Sequence, residues 1–230
     1  MQQRFYWDDE RIAFFRDAAL DNAYYRILAE RIAPVLLPDD RVLDAGCGLG
    51  YLSESLLPFC ASVTAADRDA RAIEQIRLRT DSNRLIPVEA DVFQTDLSQF
   101  DAIVCCRFGS TEEALSLFER SHARVLVLVK RNDAAHRIAN SDSRHSRTAE
   151  EAIRTLTKNG YRFEKTELTL SFDQPLRSEQ DAVRFFNLYS DRPAEACTDA
   201  LARLQRTEDP VFPFRYPIRN GLTVLTVYRK

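Results

Sequence analysis

The chain has 230 residues, 45% hydrophobic and 29% charged, enough for one sizeable α/β core and too few for two full domains. A globule of this length buries roughly 70–75% of the surface its unfolded chain exposes, so it requires no disulfide or metal staple. A formal net charge of −3 excludes a global attraction to nucleic acid or to an anionic membrane.

The five cysteines (Cys47, Cys60, Cys105, Cys106 and Cys197) include no C-x-x-C pair and no zinc spacing. Neither a signal-peptide core nor an apolar run of bilayer length is visible. These features predict a soluble, cytoplasmic protein with no membrane partner and no metal.

In chain order, residues 8–33 carry two helical patterns. Ile12, Phe15 and Ala19 mark one face, and Tyr24, Ile27, Leu28 and Ile32 another. Pro34 and Pro38 close this region. Strand and helix patterns then alternate: a strand over 41–45, a helix from about 50 to 57 that stops before Pro58, a strand over 62–66 and a helix over 69–80. A short strand over 85–88 and another over 102–106 follow. Ser110-Thr111-Glu112-Glu113 reads as a capping box opening the next helix. The run 124–129 is almost continuously apolar, as a strand covered on both faces should be. Thr148-Ala149-Glu150-Glu151 is a second capping box, and Asn159-Gly160 ends its helix.

Such alternation builds a parallel, doubly wound sheet. Residues 161–172 and 221–228 instead alternate as half-buried strands with no crossover helix immediately beside them. Between them lie helical patterns at about 178–190 and 193–206 and a proline- and aromatic-rich loop over 210–217.

The stretch Val42-Leu43-Asp44-Ala45-Gly46-Cys47-Gly48-Leu49-Gly50 carries the clearest chemistry. An apolar strand ends in an acid, and three alternate glycines turn the chain into a helix. Glycines there reach backbone angles closed to other residues and let a ligand lie against the main chain. The free N–H groups of the helix point at that ligand. The dinucleotide fingerprint G-x-G-x-x-G uses the same logic. Here the third glycine comes one residue too early, and Tyr51 stands where it would be needed. Asp67 follows the second strand and Asp91, in Glu89-Ala90-Asp91-Val92, follows the third. Ligands in open α/β sheets bind beyond these carboxyl ends.

Together with Asp44, this set resembles the class I (Rossmann-like) S-adenosylmethionine-dependent methyltransferases over residues 41–106. The resemblance implies a seven-stranded, mostly parallel sheet of order 3-2-1-4-5-7-6 with the last strand antiparallel. It implies S-adenosylmethionine as cofactor and S-adenosylhomocysteine as product. Asp44 would lie near the cationic amino-acid end, Asp67 on the ribose hydroxyls and Asp91 on the adenine amine. Ala45, Gly46, Cys47, Gly48, Gly50, Tyr51, Arg68, Val92 and Cys106 complete the expected cofactor set. The expected organisation is one domain over 1–230: a helical N-terminal cap (1–38), a cofactor-binding core (39–170), a helical insertion or lid (171–220) and a final strand (221–230).

The exit of the fourth strand, Cys105-Cys106-Arg107-Phe108-Gly109, lacks the Asn/Asp-Pro-Pro-Tyr signature of enzymes that methylate amines of bases or glutamine. After the fifth strand, Lys130, Arg131, Arg137, Arg144 and Arg147 outnumber Asp133 and Asp142. The expected acceptor is therefore a small anionic metabolite, attracted by Arg107, Arg137 and Arg144. His136, His145 and Arg107 are the candidate catalytic groups, and His122 sits at the wrong end of the sheet. Tyr6, Trp7 and Tyr25 belong to the N-terminal region that folds over the cofactor in the family this resembles. Tyr216, with Phe212 and Phe214, is a lid candidate. The aromatics of the insertion could equally form a homodimer contact. No nucleic-acid partner is expected. Two other readings stay open: a non-catalytic S-adenosylmethionine-binding or partner protein, since no unambiguous base is present, and an NAD(P)-dependent oxidoreductase of the same topology.

Overall fold

The computed structural model describes residues 6–132, 148–189 and 198–229. Helix α1 (Asp9–Asp21) starts where the Asp8 carboxylate accepts from the Arg11 N–H at 2.7 Å. Helix α2 (Tyr24–Ile32) tightens into a single 3₁₀ turn at Ala33–Val35, which accommodates Pro34. Strand β1 (Arg41–Ala45) feeds α3 (Tyr51–Leu56), and Pro58 lies in the 3₁₀ turn that closes it. Then come β2 (Ser62–Asp67), α4 (Ala70–Arg79), β3 (Leu85–Glu89), β4 (Ala102–Cys106), α5 (Thr111–Arg120), β5 (Val125–Arg131) and α6 (Ala149–Lys158). Both halves of the capping box form at Ser110 and Glu113, whereas at Thr148 the hydroxyl accepts from Glu151. The chain ends with β6 (Arg162–Ser171), β7 (Gln174–Leu176), α7 (Glu179–Tyr189), β8 (Gln205–Arg206), β9 (Phe214–Tyr216) and β10 (Arg219–Tyr228).

The main sheet has the order β3-β2-β1-β4-β5-β10-β6, and β10 runs antiparallel to both β5 and β6. This is the predicted order with its antiparallel last strand. The central strands send alternate side chains into two cores. Val42, Val63, Val104 and Val127 meet Leu28 and Ile32 of α2, with Leu56 and Ile73, on one face. Leu43, Ile103 and Leu126 meet α5 and α6 residues such as Phe118 and Leu156 on the other. Coverage of both faces explains the unbroken apolar run of β5. Among the described residues, no helix is long and apolar enough to cross a membrane.

Some expectations are corrected. The insertion is not simply helical: β7, β9 and β8 form a separate antiparallel sheet, with α7 beside it. Of the helix expected over 193–206, residues 193–197 lie outside the described residues and 198–201 form one turn. Gln205 and Arg206 pair instead with Arg215 and Phe214, so strand hydrogen bonds replace helical ones. Tyr216 is not a lid residue. It is 4% exposed, its ring meets Phe186 at 4.9 Å, and its hydroxyl accepts from Arg203 at 3.0 Å. Phe185 and Phe186 are also buried, Phe185 against Phe14 of α1. Finally, Lys130 is not in a solvated loop. It lies in β5 at 1% exposure, with its ammonium donating to the Gly109 carbonyl at 3.1 Å.

Candidate functional site

The turn after β1 is tied down from several sides. The Gly46 and Cys47 N–H groups both donate to the Ala66 carbonyl, at 2.8 and 3.1 Å. The Asp67 carboxylate accepts from the Gly48 N–H at 2.9 Å and from the Asp69 N–H at 3.0 Å, so one acid organises the ends of both β1 and β2. At Gly46 (φ 70°) a Cβ would fall 2.0 Å from the Phe108 ring, so glycine is obligatory there. At Gly48 the corresponding direction meets the Trp7 ring at 3.3 Å. Trp7 precedes α1, and its backbone N–H donates to Asp69 at 3.2 Å, which lays the indole across the glycine turn.

Asp44 ends β1 at 1% exposure, and the Ser53 hydroxyl donates to it at 2.6 Å. Burial, opposed by that hydrogen bond and assisted by the nearby Asp67 charge, pushes its carboxyl up to about 6. A buried acid so short of positive charge suits a cationic ligand group, and this is how the residues present fit a sulfonium amino acid. On the helix side, the Arg79 guanidinium lies 4.0 Å from the Tyr51 ring centroid and donates to the Leu49 carbonyl at 2.6 Å. Tyr51 stacks on Tyr25 with centroids 6.0 Å apart.

The exit of β4 forms the neighbouring wall. Arg107 is held at φ 57°, in the left-handed region, with its N–H donating to the Val129 carbonyl at 3.0 Å. Arg107 is exposed as a residue, while Tyr24, Tyr25 and Cys106 lie close enough to its guanidinium to act on its charge. Burial pushes the Tyr24 phenol up to about 12 and the Tyr25 phenol well above its usual range, despite the Arg107 charge. Burial likewise raises the Cys106 thiol to about 12. All three therefore stay protonated at neutral pH, and none is a ready base.

Asp44, Ala45, Gly46, Cys47, Gly48, Gly50, Tyr51, Asp67 and Trp7 thus gather around one turn, with Cys106, Arg107 and Tyr25 adjacent. Arg68 is exposed beside Asp67. Asp91 is exposed beyond β3, and its carboxylate accepts from the Phe93 N–H at 3.0 Å, while the Val92 side chain is buried. Tyr6 is half exposed, with the Arg11 guanidinium 4.6 Å from its ring centroid. His136, Arg137, Arg144 and His145 lie outside the described residues. Ser53, Asp69 and Phe108 join the site without a signal of their own in the sequence, and Tyr24 joins it beside Tyr25, its neighbour in the N-terminal region.

Residues 42–127 match the family described as Methyltransferase domain. Over 103 residues the chain is 35% identical to the Ubiquinone biosynthesis O-methyltransferase of Methylocella silvestris, covering 41% of this chain and 39% of that protein. Over 73 residues it is 41% identical to Ribosomal RNA small subunit methyltransferase A of Thermosynechococcus vestitus, covering 31% of this chain and 28% of that one. The chain thus spans well under half the length of these curated relatives. The crystal structure of magnesium protoporphyrin IX methyltransferase from Synechocystis with bound S-adenosylhomocysteine superposes with a TM-score of 0.52 at 16% identity, covering 100% of this chain and 89% of that one. At that identity the likeness is one of fold. Sheet order and the glycine turn after β1 are those of a Rossmann-like methyltransferase fold, and residues 42–127, the strands and helices that build that turn, match the methyltransferase domain.

Proposed function

We propose that the protein transfers a methyl group from S-adenosylmethionine to a small anionic metabolite, working as a single domain in the cytoplasm. One observation carries the cofactor half: the buried Asp44 carboxylate, at the mouth of a left-handed glycine turn, accepts from a neutral hydroxyl and faces no cation among the described residues. Asp44 receives the ammonium end, Asp67 the ribose hydroxyls, and the turn backbone the rest. S-adenosylmethionine, when bound, supplies a methyl group on a sulfonium that is already electrophilic. The chain then has to orient the acceptor and exclude water, tasks for which Trp7, Tyr25 and Arg107 are suitably disposed.

Arg107 supports the anionic acceptor, since no carboxylate pairs with it among the described residues. The similarity to ribosomal RNA methyltransferases raises RNA as a second reading. Against it, many arginines of the described surface are already paired: Arg71 with Asp9, Arg177 with Asp17, Arg184 with Glu10 and Arg215 with Asp21.

The test has two arms. S-adenosylhomocysteine should raise the melting temperature and NADH should not, because only a true ligand stabilises the folded state. With methyl-labelled S-adenosylmethionine and a cell extract, label should appear in a small product retained by an anion exchanger. Label in ribosomal RNA would select the second reading, and the absence of any thermal shift would overturn both.

A further inference from the structure

Tyr24 offers something the cofactor site does not use. Its ring is fixed by Tyr25 and Phe172, each with centroids 5.0 Å away, and the residue is 2% exposed. Yet its hydroxyl has no hydrogen bond of acceptable geometry, although the Arg107 guanidinium lies nearby. Leaving a buried hydroxyl unsatisfied costs about 1–3 kcal/mol, so the arrangement calls for an explanation. A second oddity adjoins it. Arg107 is the one described residue with a side chain that adopts positive φ. Such strain persists only where the surroundings over-determine it, and it clusters at ligand sites. Here Val129 anchors the Arg107 amide, and the Lys130 ammonium and the Ser110–Glu113 cap fix the turn beyond it.

We propose, resting on the methyltransferase reading, that the Tyr24 hydroxyl and the Arg107 guanidinium form a carboxylate-binding floor of the acceptor site, with the Tyr25 hydroxyl as a third donor on its cofactor side. The donor set matches one carboxylate: the guanidinium fork serves two lone pairs and a phenol serves a third. A phosphate dianion has three oxygens and a second charge, more acceptor capacity than these groups satisfy. Both signs of charge reach this cluster: Arg107 and Arg131 act on Tyr24, and Arg107 and Asp44 on Tyr25. An acid group held by Arg107 and a ligand ammonium held by Asp44 would orient the acceptor before methyl transfer.

Benzoate and its uncharged isostere benzamide test this when titrated by calorimetry into the full chain loaded with S-adenosylhomocysteine. Benzoate should bind at least about tenfold more tightly than benzamide, as expected when a charged hydrogen bond is lost. Tyr24→Phe removes one oxygen and keeps the ring packing, and should weaken benzoate about three- to tenfold. Arg107→Gln should abolish the preference for benzoate. Homocysteine-nucleoside affinity in each variant reports an intact fold. Equal affinity for benzoate and benzamide, no benzoate binding, an inert Tyr24→Phe change, or inorganic phosphate binding as tightly as benzoate would each overturn the pocket. If S-adenosylhomocysteine binds in those cases, the methyltransferase reading stands alone; if it does not, both fall.

Discussion

Replacing Asp44 by asparagine should make the protein more stable and less able to hold its cofactor. The carboxyl titrates near 6 in the folded protein, against an ordinary 3.8. The folded state therefore takes up a proton at a pH where the unfolded chain does not, and ionised Asp44 opposes folding. A difference of about two pH units corresponds to about 3 kcal/mol above pH 6, relieved progressively as the pH falls toward the unfolded value. The amide introduced by Asp44→Asn would keep the shape and the Ser53 hydrogen bond without the buried charge. For a chain of this length, that variant should melt roughly 6–12 °C higher than the parent near neutral pH. The margin should shrink as the pH drops through 6 and vanish near the unfolded pKa. Calorimetry of both ligand-free proteins across this range makes the comparison, and the difference cancels every other titrating group. In parallel, S-adenosylhomocysteine should bind the variant about 2–3 kcal/mol more weakly near neutral pH, the worth of a charged hydrogen bond. In the parent its affinity should decline as Asp44 protonates. A variant that melts below the parent, or a margin that ignores pH, would refute this account of the buried acid.

Two further outcomes follow from the glycine turn. Asp67→Ala strips the acceptor from two backbone N–H groups and should lower stability by about 2–4 kcal/mol in chemical denaturation, while Asp67→Asn, which keeps one acceptor on Gly48, should lose less; equal losses would count against the hydrogen bonds. Trp7→Ala uncovers Gly48 and should speed S-adenosylhomocysteine release in stopped flow about tenfold or more, with little change in association, and an unchanged dissociation rate would mean the indole does not cover the ligand.

The alternation of periods two and 3.6 makes the sheet legible in the sequence, because each strand–helix unit carries its own caps: Ser110, Thr148 and the Gly160 stop all sit where the pattern requires. The bounds of β1 and β4 can be read to the residue. The small sheet is not legible. Its strands have two or three residues, too short for any period, and they pair across a long sequence separation. Lys130 misleads because lysine is almost never fully buried, and only the fold brings the Gly109 carbonyl to its ammonium. Within the site, Asp44 and the glycines are neighbours in sequence and can be seen together. Tyr24 and Arg107 come from α2 and the β4 exit, and no local pattern relates them.

Helix α1 touches both ends of the molecule's working parts. Its C-terminal half carries the small sheet: the Gln174 amide donates to the Phe14 carbonyl at 3.1 Å, Asn22 and Asp173 exchange hydrogen bonds, and Arg215 pairs with Asp21 at 2.7 Å. Its N-terminal end continues directly into the indole that rests on Gly48. One helix thus joins the small sheet to the indole over the glycine turn. If a compound at one end changes the affinity for a second compound at the other, thermodynamic reciprocity requires that the second change the affinity for the first by the same factor.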